Sequence, residues 1–203
     1  MSCERRALNP QQTADARANA ADKLLADSVV ASVQKTTNNF DAIDKDHNGF
    51  LDLGEINGMA DKSASKALAK SYDQIQSLNN DEWFFENDGI TRGDLQKFKE
   101  HAASMPGTMA QAREVRETMQ RNWNQIKGSD ERIRRGELSA AANSGKFDRC
   151  DTAALQAAED DFSGIGHKVG KSSRKIKYPH LEERVGEKAA WFADVREFGK
   201  NLD

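Results

Sequence analysis

One short pattern recurs four times along the chain and limits what it can fold into. The segments are LDLGEI from Leu51, ITRGDL from Ile90, IRRGEL from Ile133 and IKYPHL from Ile176. Each opens on an apolar β-former, carries Gly or Pro in fourth place and Glu, Asp or His in fifth, and closes on Ile or Leu. Upstream of each stands an aromatic residue with Ile three positions later: Phe40 and Ile43, Tyr72 and Ile75, Trp123 and Ile126, Phe162 and Ile165. A repeat of this kind marks a unit that buries its apolar face against copies of itself. The i, i+3 spacing places the apolar residues on one face of a helix, so a helix is predicted on either side of each loop. The expected fold is therefore all-α, with four helix-loop-helix units in two lobes.

Just ahead of the first segment the chain reads DKDHNGFLDLGE, from Asp44 to Glu55. A hard cation such as calcium takes six to eight oxygens, so a loop that binds it must place carboxylates and carbonyls at alternating positions around a tight turn. Asp44, Asp46 and Asn48 fall at loop positions one, three and five, and Gly49 allows the sharp turn at six. The Phe50 carbonyl is available at seven, Asp52 stands at nine, and Glu55 closes the loop at twelve with a long carboxylate. An acidic surface turn would explain the composition but not this order. His47, at position four, is expected to point to solvent.

In these residues the chain resembles the EF-hand family, and the resemblance is most specific over residues 40–59. It implies a Ca2+ site formed by Asp44, Asp46, Asn48, Phe50, Asp52 and Glu55. It also implies EF-hand-like units that work in pairs, joined by short two-stranded β ladders at loop position eight, here Leu51.

The remaining loops depart from the ligand pattern. In the second, Asn87, Asp88 and Asp94 still offer oxygens, but Asp94 is a shorter closing residue than Glu55. The third has Lys127 where an acid belongs, and the fourth sets Lys and Arg where carboxylates should sit, with His180 at the closing position. Cations would repel the ion, so these two are expected to be structural. The predicted organisation is an N-terminal helical extension (1–26), an EF-hand pair with an intact first and a degenerate second member (27–104), and a degenerate pair with a C-terminal amphipathic helix (105–203). Asn9 and Pro10 read as a helix start, and the segment 101–108, with Pro106 and Gly107, as the boundary between lobes. In the tail, Trp191, Val195 and Phe198 share a helical face, either as the last core helix or as a built-in ligand for one of the lobes.

With 31% charged residues and a mean hydropathy of −0.82, the chain has no apolar run long enough to span a membrane, and its start has no apolar signal-peptide core. Cys3 and Cys150 are the only cysteines, which gives no disulfide framework or CxxC motif, so a reducing, cytoplasmic setting is expected. The half that carries the candidate calcium loop is the acidic one. The basic run Lys168 to Lys177 has no interleaved aromatics, and no nucleic-acid partner is expected. Phosphate-loop, GxSxG and HExxH motifs are missing, which argues against an enzyme. The expected function is calcium binding as a sensor, buffer or calcium-stabilised interaction module, with a protein partner engaged through an apolar groove or the Trp83–Phe85 patch. The competing expectation is an interaction scaffold in which calcium is incidental.

Overall fold

In a computed structural model of the chain, residues 10–79, 89–129, 131–166 and 175–202 are described. They are mostly helical, and none of the helices is long and apolar enough to cross a membrane. The order is α1 (Pro10–Asn38), α2 (Phe40–Ile43), α3 (Leu53–Asn57), α4 (Lys62–Lys70), α5 (Tyr72–Gln76), α6 (Arg92–Ile126), α7 (Arg135–Ala142), α8 (Arg149–Asp160), α9 (Phe162–Ile165), α10 (Tyr178–Trp191) and α11 (Ala193–Lys200).

Extended pairing among the described residues is confined to two isolated antiparallel bridges, Leu51 with Ile90 and Ile133 with Ile176. These are the opening residues of the four repeated segments, and all four are fully buried. Leu51 and Ile90 exchange two backbone hydrogen bonds at 2.9 and 3.0 Å, and Ile133 and Ile176 exchange two at 2.9 Å. Each pairing is a single bridge rather than a ladder, because two residues further on each segment has already turned helical, at Leu53, Arg92, Arg135 and Tyr178.

The fifth residue of each segment explains that early start. Glu55 Oε2 accepts from the Asp52 N–H (3.2 Å), Asp94 Oδ2 from Thr91 (2.8 Å), Glu137 Oε2 from Arg134 (2.8 Å) and His180 Nδ1 from Lys177 (3.2 Å). A backbone donor just before the helix, which no intrahelical carbonyl can serve, is satisfied in this way by a side chain one turn further on.

The contacts group into two compact units, and neither is a single stretch of chain. Unit I comprises residues 18–106 with 191–203; unit II comprises residues 1–17 with 107–190. In sequence they meet at Arg17 and Ala18, at Pro106 and Gly107, and at Ala190 and Trp191, and α1 and α6 run through the first two of these junctions without a break. At Pro106 the proline has no N–H to give to the helix.

Unit I packs Phe40, Leu68, Ile75, Leu95 and Phe98 into its core together with the tail helix. Phe192, Val195 and Phe198 are fully buried, and the Phe198 ring centroid lies 5.3 Å from that of Phe98. Gly199 sits so close to α1 that a Cβ there would collide with Leu25. The predicted apolar face needs one correction: Trp191 is 59% exposed, and Phe192 takes its place in the core. The helix breaks at Phe192 (φ −105°, ψ 23°), so Trp191 ends α10 and falls out of phase with Val195 and Phe198.

Two polar contacts clasp this tail. Arg196 reaches Asp22 at 3.0 Å, and His101 Nε2 lies 3.1 Å from the Trp191 carbonyl and 3.4 Å from Asp194 Oδ1, with its ring stacked on Phe192. Hydrogen bonding of the ring to the Asp194 carboxylate raises the His101 pKa, with burial opposing it and the Asp194 charge and the Trp191 carbonyl adding to the rise.

Unit II gathers Met119, Trp123, Ile133, Leu155, Phe162 and Leu181 in one core. The start of α1 is pinned to α6 by Gln12 on Glu117 and by Asp15 on the buried guanidinium of Arg116. Cys150, in the first turn of α8, is disulfide-bonded, which overturns the expectation of unpaired cysteines; the other cysteine, Cys3, lies outside the described residues.

Two predictions test the tail. Phe198→Ala should lower stability by about 3–5 kcal/mol in urea unfolding, the range for a fully buried aromatic. A histidine whose folded pKa is raised stabilises fully below its unfolded value near 6.5 and loses that contribution as pH rises through the folded value. The unfolding midpoint should therefore fall as pH rises from 6.5, and His101→Gln should flatten that slope.

Candidate metal site

The loop between α2 and α3 organises itself around its own carboxylates. Asp44 follows the last turn of α2, where its N–H still bonds to the Phe40 carbonyl at 2.8 Å, and its side chain is turned into the loop. Asp44 Oδ1 accepts from Asn48 N–H (3.2 Å) and Oδ2 from Gly49 N–H (3.0 Å). Those bonds require the chain to double back, which it does through His47 (φ 57°) and Gly49 (φ 87°). Glycine takes that left-handed conformation without steric cost, whereas at His47, exposed as expected, it carries some strain.

Asp46 Oδ1 accepts from the Asn48 N–H (3.2 Å) and Oδ2 from its side-chain amide (3.0 Å), while Asn48 Oδ1 accepts from Phe50 N–H (2.8 Å). At the far end Asp52 caps α3 by accepting from Glu55 N–H (2.8 Å), and Glu55 returns the bond to the Asp52 N–H. The other Glu55 oxygen accepts from Lys45 N–H at 2.6 Å, so this one carboxylate reaches back across the loop to its second residue.

The outcome is a triad: one oxygen from each of Asp44, Asp46 and Glu55, all within 4.8 Å of one another. Asp44 and Glu55 are buried and Asp46 is exposed. The hydrogen bonds they accept come from backbone and amide N–H groups of the loop, and none comes from a Lys or Arg side chain. Two buried carboxylates at that separation repel by about 3–4 kcal/mol at an effective dielectric near 20. A divalent cation among them would reverse the sign of that interaction, and an all-oxygen donor set suits a hard ion.

Of the six predicted ligands, the fold brings three carboxylates together and sets Asn48 against Asp46. Asp52 is outside the triad and caps α3, and the Phe50 backbone is held by Asn48. Elsewhere the closing residues serve as caps. Asp94 is fully buried; Oδ2 is held by Thr91 N–H and Oγ1 (2.8 and 2.6 Å), while Oδ1 has no hydrogen-bond partner. Asn87, Asp88 and the Trp83–Phe85 patch lie outside the described residues, as does most of the basic run from Lys168. In the third loop Lys127 pairs with Glu131 at 2.6 Å, and Glu137 folds against Gly128, where a Cβ would collide with its carboxylate.

The capping role of the closing residue was missed in the sequence, although its signal was there. The fifth position stays hydrogen-bonding even in segments that have lost every other ligand, down to His180. Compared with models of known families, with curated proteins and with solved structures, the chain matches none.

A cap and a metal ligand respond differently to substitution. Glu137→Ala should cost about 0.5–2 kcal/mol of stability, the usual range for a lost cap, by the same amount in calcium and in chelator. Thermal unfolding in both buffers would show it.

Proposed function

We propose that the chain is a calcium-binding protein of the EF-hand type, with its site in the loop from Asp44 to Glu55. Asp44, Asp46 and Glu55 would supply carboxylate oxygens, Asn48 and the Phe50 carbonyl would complete the shell, and Asp52 would act directly or through water. The observation that carries this reading is the convergence of two buried carboxylates and a third at the surface, which among the described residues accept hydrogen bonds from the loop's own N–H groups and from no Lys or Arg side chain. The two bridges support a paired arrangement, with Leu51 and Ile90 at equivalent places in the first pair and Ile133 and Ile176 in the second. The third and fourth loops are then structural members whose closing side chains cap helices.

The function is binding rather than catalysis, and metal on the native state would itself stabilise unit I. A hundredfold excess over Kd adds about 2.7 kcal/mol. The Cys150 disulfide weighs against the reducing, cytoplasmic setting expected from the sequence, because such bonds persist in oxidising surroundings.

Isothermal titration with calcium in magnesium-containing buffer, beside Glu55→Gln, tests the proposal. One site, lost in the variant together with a calcium-induced rise in unfolding temperature, is the expected result. Two sites would bring in the second loop through Asp88 and Asp94. No heat, and no competition with a chromophoric chelator, would overturn the reading.

A further inference from the structure

The dipeptide Asn-Gly occurs twice in the chain, at Asn48–Gly49 and Asn57–Gly58, and all four residues are exposed. An asparagine followed by glycine carries a latent reaction, because no Cβ on the next residue hinders its backbone nitrogen from attacking the side-chain amide carbon. The structure treats the two copies differently.

Asn57 ends α3, and Gly58 caps it in helical conformation (φ −77°, ψ −10°). The Gly58 N–H donates to the Gly54 and Glu55 carbonyls, both at 3.0 Å, so this nitrogen is engaged along the helix axis. Side chains project outward from that axis, which keeps the Asn57 amide carbon away from it.

At Asn48 the side chain folds back over the peptide that follows it. Asn48 Oδ1 accepts from the Phe50 N–H, two residues on, at 2.8 Å, closing a turn around Gly49. Each group that the reaction needs then has a partner in place. The Phe50 N–H lies on the oxygen where negative charge develops once the amide carbon is attacked. The Gly49 N–H, whose proton has to leave, donates to Asp44 Oδ2 at 3.0 Å, within reach of a general base. The Asn48 amide nitrogen, the leaving group, is held by Asp46 Oδ2 at 3.0 Å. Around Gly49 the space is open, with no atom within 4 Å of where a Cβ would stand.

We propose that Asn48 is a site of spontaneous deamidation and that calcium in the loop protects it. Gly49 N bonds to Asn48 Cγ and closes a cyclic imide; its proton passes through Asp44 Oδ2 and solvent to the amide nitrogen, which leaves as ammonia. Water then opens the imide. Attack on the Cγ carbonyl leaves aspartate in place of Asn48, whereas attack on the main-chain carbonyl leaves the isomer whose backbone runs through Cβ. The first product adds a carboxylate to the loop. The second inserts a methylene into the backbone between Asp44 and Glu55 and moves those two ligands out of register. An ion held by Asp44, Asp46 and Asn48 would occupy the oxygens that the reaction uses, so the loop would record time spent empty. That protection rests on the calcium reading; the reaction of the metal-free loop does not.

The test ages the full chain at neutral pH, in chelator and in calcium, and follows each asparagine by peptide mapping, through the mass gained when the amide becomes an acid. In chelator, conversion at Asn48 is expected to run about tenfold or more ahead of Asn57, and calcium should slow Asn48 by about tenfold while leaving Asn57 unchanged. Asn48→Ser, which has no amide to lose, should abolish the mass gain in that peptide. Equal conversion of Asn48 and Asn57 in chelator would overturn the site. So would a synthetic peptide of residues 41–56 that converts about tenfold faster than the metal-free protein, because the fold would then shield Asn48 rather than arrange it. Calcium heat in the calorimeter with no slowing at Asn48 would overturn the protection. Fast conversion at Asn48 with no calcium heat would instead overturn the calcium reading and support the site.

Discussion

Four backbone N–H groups, each caught by a side chain three residues further on, fix where four of the helices begin. Asp52, Thr91, Arg134 and Lys177 are the donors, and Glu55, Asp94, Glu137 and His180 the acceptors. Because each donor directly follows a bridge residue, the same four bonds also fix how far pairing can extend before the chain turns helical. The buried Leu51, Ile90, Ile133 and Ile176 are thereby held at the junction of bridge and helix, and each core is assembled around them. Burial of these residues and the saturation of their polar backbone are one event, since an unpaired N–H at such depth would cost more than its hydrogen bond returns.

That geometry separates two properties that the loop sequences combine. A carboxylate at the closing position is good for capping and good for holding a cation, so its presence alone discriminates poorly. What distinguishes the Asp44 to Glu55 loop is that its closing carboxylate also reaches Lys45 N–H and lies within 4.8 Å of Asp44 and Asp46. Its counterparts meet other surroundings. Glu137 folds against Gly128 beside a lysine already engaged with Glu131, and His180 offers a ring nitrogen in place of a carboxylate.

The sequence carried the all-α class because apolar spacing is a local property that the helix period converts directly into a face. It carried the convergence of Asp44, Asp46 and Glu55 because that turn is also local, confined to a dozen residues. What it did not carry was long-range. The pairing of Cys150, the burial of Phe192 in place of Trp191 and the passage of α6 through Pro106 each depend on partners remote in the chain, to which neighbouring residues are blind. The Trp191 case shows the limit well: a one-residue break at Phe192 rotates the face, and no periodicity argument that assumes one unbroken helix can see it.

Unit I is built from two stretches of chain separated by nearly the whole of unit II. During synthesis the loop from Asp44 to Glu55 leaves the ribosome long before Val195 and Phe198 exist, so its lobe must wait with an uncovered apolar groove between α1, α4 and the first half of α6. The lobe made first is thus the lobe completed last. A pause or a premature stop anywhere in the second half of the message would leave it sticky, and a chaperone that shields apolar surface on nascent chains would find its substrate there.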